Sequence, residues 1–537
     1  MKKALILTLA LALSIGCVLS GCTNNPDAPK PTSQSAASSS NAGASTSGSE
    51  ANTSAPNSKE GKSTITIGVS QDILSFDPHG YTGIASTIPG RHIYDTLVRI
   101  MPDDSLEPCL AESWEILDDT TIQFKLRKDV KYHNGEPFSA HDVKFSIERH
   151  LGTTYTLSMV SAIDHVDVID DYTCNVVLNT PATSMTLTNL AYPTCGIVSK
   201  KTVEELEAAG KTLDENPIGT GPLKFVSYMS GDKVVLEKFE DYWGVPAAHD
   251  TMILRIITDD AARSIALETG EVDIILDVPS SEFDRIRKNP DLALEEYAST
   301  KMEFAYLNTT KAPLDNKLVR QALSHLINRD AIIAIAENGN GFPLYSPIAE
   351  GHRYYMPEVT QYEYDVEKAK ALLAEAGYPN GFDLSLICIN QTRARIGQVL
   401  QSDFEKAGIN LKVETIENSA YLDITKNGDH QIALSSWTSS VDPNATFPSL
   451  FSNGPLGTAN NRSKYNNPEI EPMLEAGRAG RTFEERYEIY KQVQKIIIDD
   501  AAIIPFYTAV GAVARHSDLK GLQLYPSVQH RLDQLHY

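Results

Sequence analysis

The sequence has few cysteines and no excess of basic residues, and both shortages narrow the class of protein. Six cysteines in 537 residues are too few for a framework of disulfides to hold the fold together. Lys and Arg total 47 against 70 Asp and Glu, so the formal net charge is −23 and nucleic-acid phosphates would be repelled. We therefore expect an acidic globular protein with room for two or three domains and without a nucleic-acid partner.

The cysteines beyond the N-terminal leader do not indicate a metal site. They lie far apart and lack the C-x-x-C spacing of zinc ligands, at Cys109, Cys174, Cys195 and Cys388. We interpret them as small buried apolar residues. Oxidation of one pair, such as Cys174 with Cys195, stays open.

Sequence motifs of the common enzyme classes are missing as well. The chain has no G-x-S-x-G elbow, no H-E-x-x-H pair, no P-loop and no Rossmann fingerprint. Gly219-Thr220-Gly221-Pro222 contains a G-x-G, but Pro222 would block a phosphate-binding helix start, so we expect a turn there. His530 and His536 are not spaced to share a helical face. The sequence thus predicts no catalytic residue, no metal site and no cofactor.

The N-terminus has the pattern of a lipoprotein signal peptide. Lys2 and Lys3 precede an apolar run over residues 4–21, and Leu19-Ser20-Gly21-Cys22 resembles the bacterial lipobox. The run is near the lower length limit of a membrane-spanning helix, but polar residues follow Cys22 directly. Cys17, the rival cysteine, is followed by apolar residues instead. We predict a signal peptide over residues 1–22 and lipidation of Cys22.

Residues 23–62 are rich in Ser, Ala, Asn, Gly, Thr and Pro and have almost no large apolar residues. Such a segment cannot bury enough surface to offset its ordering entropy, so we expect a disordered tether. Together with a lipidated N-terminus, the tether would hold the folded part outside the cytoplasm. The protein would then be anchored to the cell membrane, on the extracellular face or in the periplasm.

Strand and helix patterns intermix from residue 64 to the end of the chain, which predicts a mixed α/β fold. Period-two alternation indicates strands at 64–69, 121–126, 233–238, 272–276 and 410–415. Apolar residues at helical spacing indicate helices at 142–150, 259–269, 317–327, 366–376, 396–407 and 484–499. This order argues against simple tandem domains.

Short segments in a fixed order carry a family resemblance over nearly all of residues 64–537. They are SFDPH (75–79), IYDTL (93–97), LAESW (110–114), LRKDVKYHNGEPF (126–138), AHDV (140–143), GTGP (219–222), DYW (241–243), GEVD (270–273), VRQAL (319–323), AEAGY (374–378) and YNNPE (465–469). Together they resemble the family 5 extracellular solute-binding proteins, the dipeptide, oligopeptide and nickel receptors of ABC transporters.

The resemblance implies a two-lobed periplasmic-binding-protein-like fold of type II, the large peptide-binding class. Lobe I would comprise residues 63–97, 215–300 and 507–537, and an extra subdomain of this lobe would span residues 98–214. Lobe II would span residues 301–506.

The resemblance also implies a function. The chain would be a monomeric substrate-binding lipoprotein without enzymatic activity. It would capture a small solute, above all short peptides, in the cleft between the lobes and deliver it to the permease transmembrane subunits of an ABC importer.

The implied ligand segment is SSWTSSVDP (435–443), where an extended peptide would pair with main-chain groups beside a large apolar wall. The wall is Trp437, flanked by Ser436, Thr438, Ser439 and Ser440. The loop 80–84 of lobe I would face this segment through Tyr81, Thr82 and Gly83. A tryptophan of the ordinary core is the alternative interpretation of Trp437.

One position departs from the family pattern. Typical dipeptide and oligopeptide members have an aspartate, three residues past the tryptophan, that pairs with the ligand's α-amine, and this chain has Ser440 there. Asp442 could take over that task, although Asp before Pro commonly shapes a turn. Arg393 or Arg395, in a polar loop before a helix, could bind the ligand's carboxylate, or either could be a solvated surface residue.

Three alternatives remain beside a peptide carrier. The first is the same role for a non-peptide cargo such as an opine, an oligosaccharide or a metal complex, which the serine at position 440 favours. The second is a surface enzyme, for which the sequence nominates no nucleophile. The third is an extracellular sensor or adhesin that uses the same fold.

Overall fold

One sheet of eleven strands runs through the part of the protein that the structure covers. The structure, a computed structural model, describes residues 63–80, 83–154, 156–454, 456–457 and 460–537. Cys22, Tyr81 and Thr82, the signal peptide and the tether lie outside the described residues.

The strands of the described residues form where apolar and polar side chains alternate, as in the first strand with its buried Ile65 and Ile67. They are β1 Thr64–Val69, β2 Val98–Ile100, β3 Leu106–Pro108, β4 Ala111–Asp118, β5 Thr121–Leu126, β6 Ile163–Asp170, β7 Thr173–Leu178, β8 Leu223–Met229, β9 Lys233–Lys238, β10 Thr251–Ile256, β11 Ile274–Ile275, β12 Leu292–Leu307, β13 Gly341–Pro343, β14 Asp383–Cys388, β15 Asn410–Thr415, β16 Ile432–Thr438 and β17 Ile503–His516.

Several helices begin at polar residues that cap their free N–H groups, including capping boxes at Ser139 and Thr482. The α-helices of the described residues are α1 Ile84–Ile93, α2 Ala140–Leu151, α3 Leu157–Val160, α4 Thr183–Leu190, α5 Lys200–Ala208, α6 Asp260–Glu268, α7 Phe283–Arg287, α8 Lys317–His325, α9 Arg329–Glu337, α10 Val366–Glu375, α11 Gln391–Glu405, α12 Asn418–Asn427, α13 Pro443–Phe451, α14 Ile470–Ala479 and α15 Phe483–Asp499. The mixed α/β class is confirmed.

The large sheet has the order β15-β14-β16-β12-β17-β11-β1-β10-β9-β8, and β13 pairs with β17 outside this path. Strand β1 is parallel to β10 and β11, and strand β14 is parallel to β15 and β16. Two groups of parallel strands therefore stand on either side of the long antiparallel pair β12 and β17. Their register shifts between Ala298 and Met302, and again between Glu303 and Phe304.

A second, antiparallel sheet has the order β4-β5-β7-β6 and its own buried core. Phe124, Tyr132 and Phe138 lie in that core, and Val441, which follows β16, packs into it as well. This small sheet therefore also contacts the β16 side of the large sheet. We call residues 97–197, which supply the buried residues of this core apart from Val441, the small sheet's subdomain.

Two sequence-based expectations need correction, and the question of a Cys174–Cys195 pair, left open by the sequence, is answered. Arg393 and Arg395 do not lie in a loop, because Asn390 caps α11 and the helix begins at Gln391. The strand predicted over 272–276 is only two residues long, Ile274–Ile275. Cys174 and Cys195 are not joined, and both are free and buried. Within the described ranges, we find no helix that is both long enough and apolar enough to cross a bilayer.

Candidate functional site

A cavity of about 400 Å³ opens where strands of both parallel groups end. Residues 69–71 lie at the end of β1, residues 276–280 follow β11, and Thr438 is the last residue of β16, and all of them line the cavity. In open α/β sheets, ligands bind in the crevice outside the carboxyl ends of the strands. Small-molecule pockets commonly have volumes of about 300–1,000 Å³, so the cavity is a candidate binding site.

The long strands β12 and β17 cross behind this cavity. Residues 299–301 of β12, where its register shifts, and residues 509–512 of β17 line the wall. Gly511 has a defined role, since a Cβ at this position would collide with the ring of Tyr297. Tyr297 also lines the cavity, and its hydroxyl lies 3.1 Å from Nε2 of His530.

Three charged side chains line the cavity: Asp277, Lys301 and Glu337. The Asp277 carboxylate is 3.5 Å from the Ser70 hydroxyl. Glu337 accepts hydrogen bonds from the hydroxyl groups of Tyr507, at 3.0 Å, and Ser280, at 3.1 Å. Burial, with the carboxylates of Glu303 and Glu337 nearby, raises the pKa of Tyr507 far above its ordinary value of about 10, so this hydroxyl stays a donor.

Of the predicted ligand segment, Thr438 lines the cavity. The next residue, Ser439, donates its N–H to the carbonyl of Thr300, a cavity residue, at 2.9 Å. Trp437 is half-buried, packs against the core beneath β16, and donates its indole N–H to Thr446 Oγ1 at 3.2 Å. Its contact with a ligand stays a prediction.

Ser440 makes contacts within the protein on both its side chain and its main chain. Its hydroxyl is 3.0 Å from the hydroxyl of Tyr192, which also accepts the N–H of Val441 at 2.9 Å. The carbonyl of Ser440 accepts a hydrogen bond from Nε2 of His352 at 2.8 Å. The position that carries an aspartate in typical peptide-binding members is therefore bonded to the small sheet's subdomain.

Asp442 is held in a buried ion pair. Its two carboxylate oxygens accept hydrogen bonds from Arg486, at 2.7 Å each, and Oδ1 also caps α13 through the N–H of Asn444. The exposed fraction of both side chains is 1%. Asp442 does not line the cavity described above.

The two arginines of α11 have different surroundings. Arg393 is buried, donates to both oxygens of Glu303 at 3.1 and 3.2 Å, and donates to Ser436 Oγ at 2.7 Å. Arg395 is exposed, and its nearest hydrogen-bond partner is Thr392 at 3.5 Å. Neither arginine lines the cavity.

Gly83 is the N-cap of α1, and its carbonyl accepts the N–H groups of Ser86 and Thr87. Ala85 and Ile88 of this helix line the cavity, so Gly83 lies next to the cavity wall. Tyr81 and Thr82 precede it and are not among the described residues.

Sequence reasoning missed Asp277, Lys301 and Glu337. For Asp277 a signal existed, because it directly follows the predicted strand 272–276, and the carboxyl end of a parallel strand is where ligand residues are expected. Lys301 and Glu337 carry no such signal, since long-range pairing of β12 with β17 places Lys301, and Glu337 at the end of α9 reaches the cavity beside Tyr507 of β17. In the covered ranges, no group of three or more His, Cys, Asp and Glu side chains could hold a metal ion.

Comparison with known proteins gives consistent matches. The family model described as "Bacterial extracellular solute-binding proteins, family 5 Middle" matches residues 105–457. Heme-binding protein A of Haemophilus influenzae is 30% identical over 97% of this chain and 96% of its own length. The dipeptide-binding protein of Escherichia coli is 32% identical over 84% of this chain and 90% of its own length.

A solved structure agrees with these matches. The structure of HbpA2 from Haemophilus parasuis superposes with a TM-score of 0.83 at 30% identity, covering 88% of this chain and 99% of that one. The predicted fold class, α/β with two lobes, is confirmed.

Proposed function

The chain belongs to the family 5 bacterial extracellular solute-binding proteins, and we propose that it captures short peptides between its two lobes for an ABC importer. Proteins of this family are the solute-binding components of such importers. The observation that carries the proposal is the cavity of about 400 Å³ at the carboxyl ends of strands from both groups. Its walls come from segments far apart in sequence, as expected of a site between two lobes.

The proposed lobes are those implied by the sequence, with lobe I at 63–97, 215–300 and 507–537, its subdomain at 98–214, and lobe II at 301–506. Both crossings from lobe to lobe would then fall inside β12 and β17. The register shift between Ala298 and Met302 lies beside the first of these crossings and supports a hinge there. Bound solute would contact both lobes and favour the closed form.

A peptide cargo is supported by the edge of the cavity next to Thr438, where main-chain groups could pair with an extended ligand. The dipeptide-binding relative supports the same cargo. The heme-binding relative and the serine at position 440 support a non-peptide cargo as the second candidate.

We further propose that Cys22 is lipidated and that residues 23–62 tether a monomer to the membrane. The lipobox-like residues Leu19-Ser20-Gly21-Cys22 support this proposal. Labelling cells with a radioactive fatty acid would test it, since Cys22→Ala should lose the label and be released from the membrane. A labelled, membrane-bound Cys22→Ala variant would contradict it.

Mass spectrometry of solute released from the natively purified protein tests the function. We expect di- to pentapeptides, recovered with unchanged mass after renewed incubation with the protein. Added back, the same solute should raise the melting temperature and lower the radius of gyration in solution scattering. Cleaved or modified solute would contradict the absence of enzymatic activity. If no compound in a panel of peptides, sugars and metal chelates bound to the protein, solute binding would be contradicted.

A further inference from the structure

Two carboxylates line the cavity without an ion-pair partner among the described residues. The Arg263 guanidinium donates to the main-chain carbonyl of Asp277 at 3.1 Å, but its carboxylate partner is Asp260. Asp277 has the Ser70 hydroxyl at 3.5 Å, and Glu337 has the hydroxyls of Tyr507 and Ser280. These donors are neutral, and among the described residues no Lys, Arg or His lies within ion-pair distance of either carboxylate. Charges that lose water on closure need an opposite charge, so both carboxylates are poised for one.

Each carboxylate also belongs to a residue whose local backbone position is unfavourable for it. Asp277 has a φ of 57°, in the left-handed region that costs free energy for a residue with a side chain. Glu337 is the last residue of α9, where the negative end of the helix dipole disfavours an anion. Unfavourable placements of this kind concentrate at functional sites.

The segments that carry the two carboxylates are hydrogen-bonded to each other, and we call this part of the cavity wall the corner. Ser280, which donates to Glu337, lies on the same short segment as Asp277. The cation of the cavity, Lys301, is on β12, with Nζ 3.8 Å from the Glu303 carboxylate. That carboxylate already accepts two hydrogen bonds from Arg393, so its negative charge is shared between Arg393 and Lys301.

We propose that Asp277 and Glu337 form a cation-binding corner, which selects solutes that carry an ammonium or guanidinium group. The inference rests on the proposed solute-binding function and names the chemistry that this site recognises. It also gives the amine of a peptide a partner in a chain that has Ser440 in place of an aspartate. The same corner could hold an α-amine, a basic side chain or a polyamine, and the test separates these sources.

Isothermal titration calorimetry on the full-length protein, freed of bound solute, provides the test. The probes are trialanine, N-acetyl-trialanine, N-acetyl-Ala-Lys-Ala and putrescine. The three peptides share a backbone and a carboxylate and differ in the presence and position of an amine, and putrescine carries two amines without a peptide backbone. We expect at least one cationic probe to bind about tenfold or more tightly than neutral-ended N-acetyl-trialanine. Trialanine, the lysine peptide and putrescine report an α-amine, a side-chain amine and a polyamine, respectively.

The variants Asp277→Asn and Glu337→Gln keep shape and remove charge. Asparagine tolerates the left-handed region, so D277N should fold normally. Each variant should weaken binding of the best cationic probe about tenfold and leave the affinity for N-acetyl-trialanine unchanged. The matched controls are Asp171→Asn and Glu367→Gln, whose side chains are 74% and 83% exposed and do not line the cavity.

The outcomes are distinct. N-acetyl-trialanine binding as tightly as every cationic probe would overturn the inference and leave solute binding intact. Unchanged affinities of D277N and E337Q for the cationic probes would also overturn the inference. A neutral or anionic solute released from the native protein would overturn it as well. No binding by any probe or by the released solute would overturn the proposed function itself.

Discussion

Arg486 donates one hydrogen bond to each carboxylate oxygen of Asp442, at 2.7 Å, and water has almost no access to either side chain. The guanidinium also donates to the carbonyl of Gly477 and to the Ser184 hydroxyl, which belongs to α4. The pair thus joins the start of α13, the end of α14 and the first turn of α15, and it reaches the small sheet's subdomain.

Removal of Asp442 should destabilise the protein strongly. In Asp442→Ala the buried guanidinium would lose its counter-ion, so we expect the free energy of unfolding to fall by about 3–5 kcal/mol. Urea unfolding measures this change. As a control, the double variant Asp442→Leu with Arg486→Met should be more stable than D442A, because no unpaired charge is left. If Asp442→Asn abolished ligand binding without loss of stability, a ligand role for Asp442 would be favoured instead.

Acid should weaken the fold through His352. Burial lowers the pKa of its imidazole from 6.5 to about 4, because the charged form loses its hydration there, and this outweighs the hydrogen bond to the Ser440 carbonyl, which favours the charged form. The neutral ring donates through Nε2 to that carbonyl and accepts the N–H of Tyr354 at Nδ1. The unfolded chain binds this proton below pH 6.5 and the folded chain does not, so stability present above pH 6.5 is lost as the pH falls towards 4. The full loss attributable to this histidine is about 3 kcal/mol.

Urea unfolding between pH 7 and pH 4 tests this acid sensitivity in His352→Gln. The variant has no proton to bind there and should lose less stability over this pH range than the wild type. His141, with a 63% exposed side chain, supplies the control His141→Gln, which should retain the pH dependence of the wild type. An unchanged slope in H352Q would contradict the prediction.

Tyr192 should hold the small sheet's subdomain against the segment after β16. Burial raises the pKa of its phenol, so the hydroxyl stays protonated and can both bond Ser440 and accept from Val441. Tyr192→Phe leaves these buried groups without their partner and should lower stability by about 1–3 kcal/mol. Thermal unfolding measures the change. Tyr345→Phe, which removes a hydroxyl bonded to Glu363 at the surface, should cost under about 0.5 kcal/mol. Equal losses in both variants would refute a special role for Tyr192.

The thiols should be inert while the protein is folded. Burial raises the pKa of Cys109 to about 11 and those of Cys174 and Cys195 to about 12, and Cys388 is buried too. Because the thiolate is the reactive form, iodoacetamide at pH 8 should label none of the four before unfolding and all of them afterwards. Mass spectrometry counts the labels, and a pair that is released only by reductant would contradict free thiols.

Local pattern predicted many elements of the fold to the residue. The strands predicted at 64–69, 121–126, 233–238 and 410–415 match β1, β5, β9 and β15. Their signal is local, because buried and exposed side chains alternate between adjacent residues of a strand. The start of α11 was placed too late, since its first turn is polar and only the capping Asn390 marks it. Caps of this kind are weaker signals than apolar periodicity.

The site was harder to predict than the fold. Thr438 lines the cavity and Gly83 lies two residues before Ala85, which also lines it, while a ligand contact of either predicted residue stays a prediction. Whether Asp442 and Arg393 are free or paired depends on Arg486 and Glu303, which are distant in sequence. No pattern within one segment reveals such partners, because they are set by the packing of separate elements.

Strand β17 lies between β11 and β12, so the two groups of parallel strands are joined within the large sheet only through β12 and β17 together. It is also the last strand of that sheet to leave the ribosome, because its residues begin at Ile503. A nascent chain, or a fragment cut before this point, has both groups of strands but lacks the one that connects them. Completion of the sheet therefore has to wait until β17 has been synthesised, and a stop codon shortly before residue 503 would leave the 16-residue strand β12 with a long unpaired edge and the short β11 without its partner.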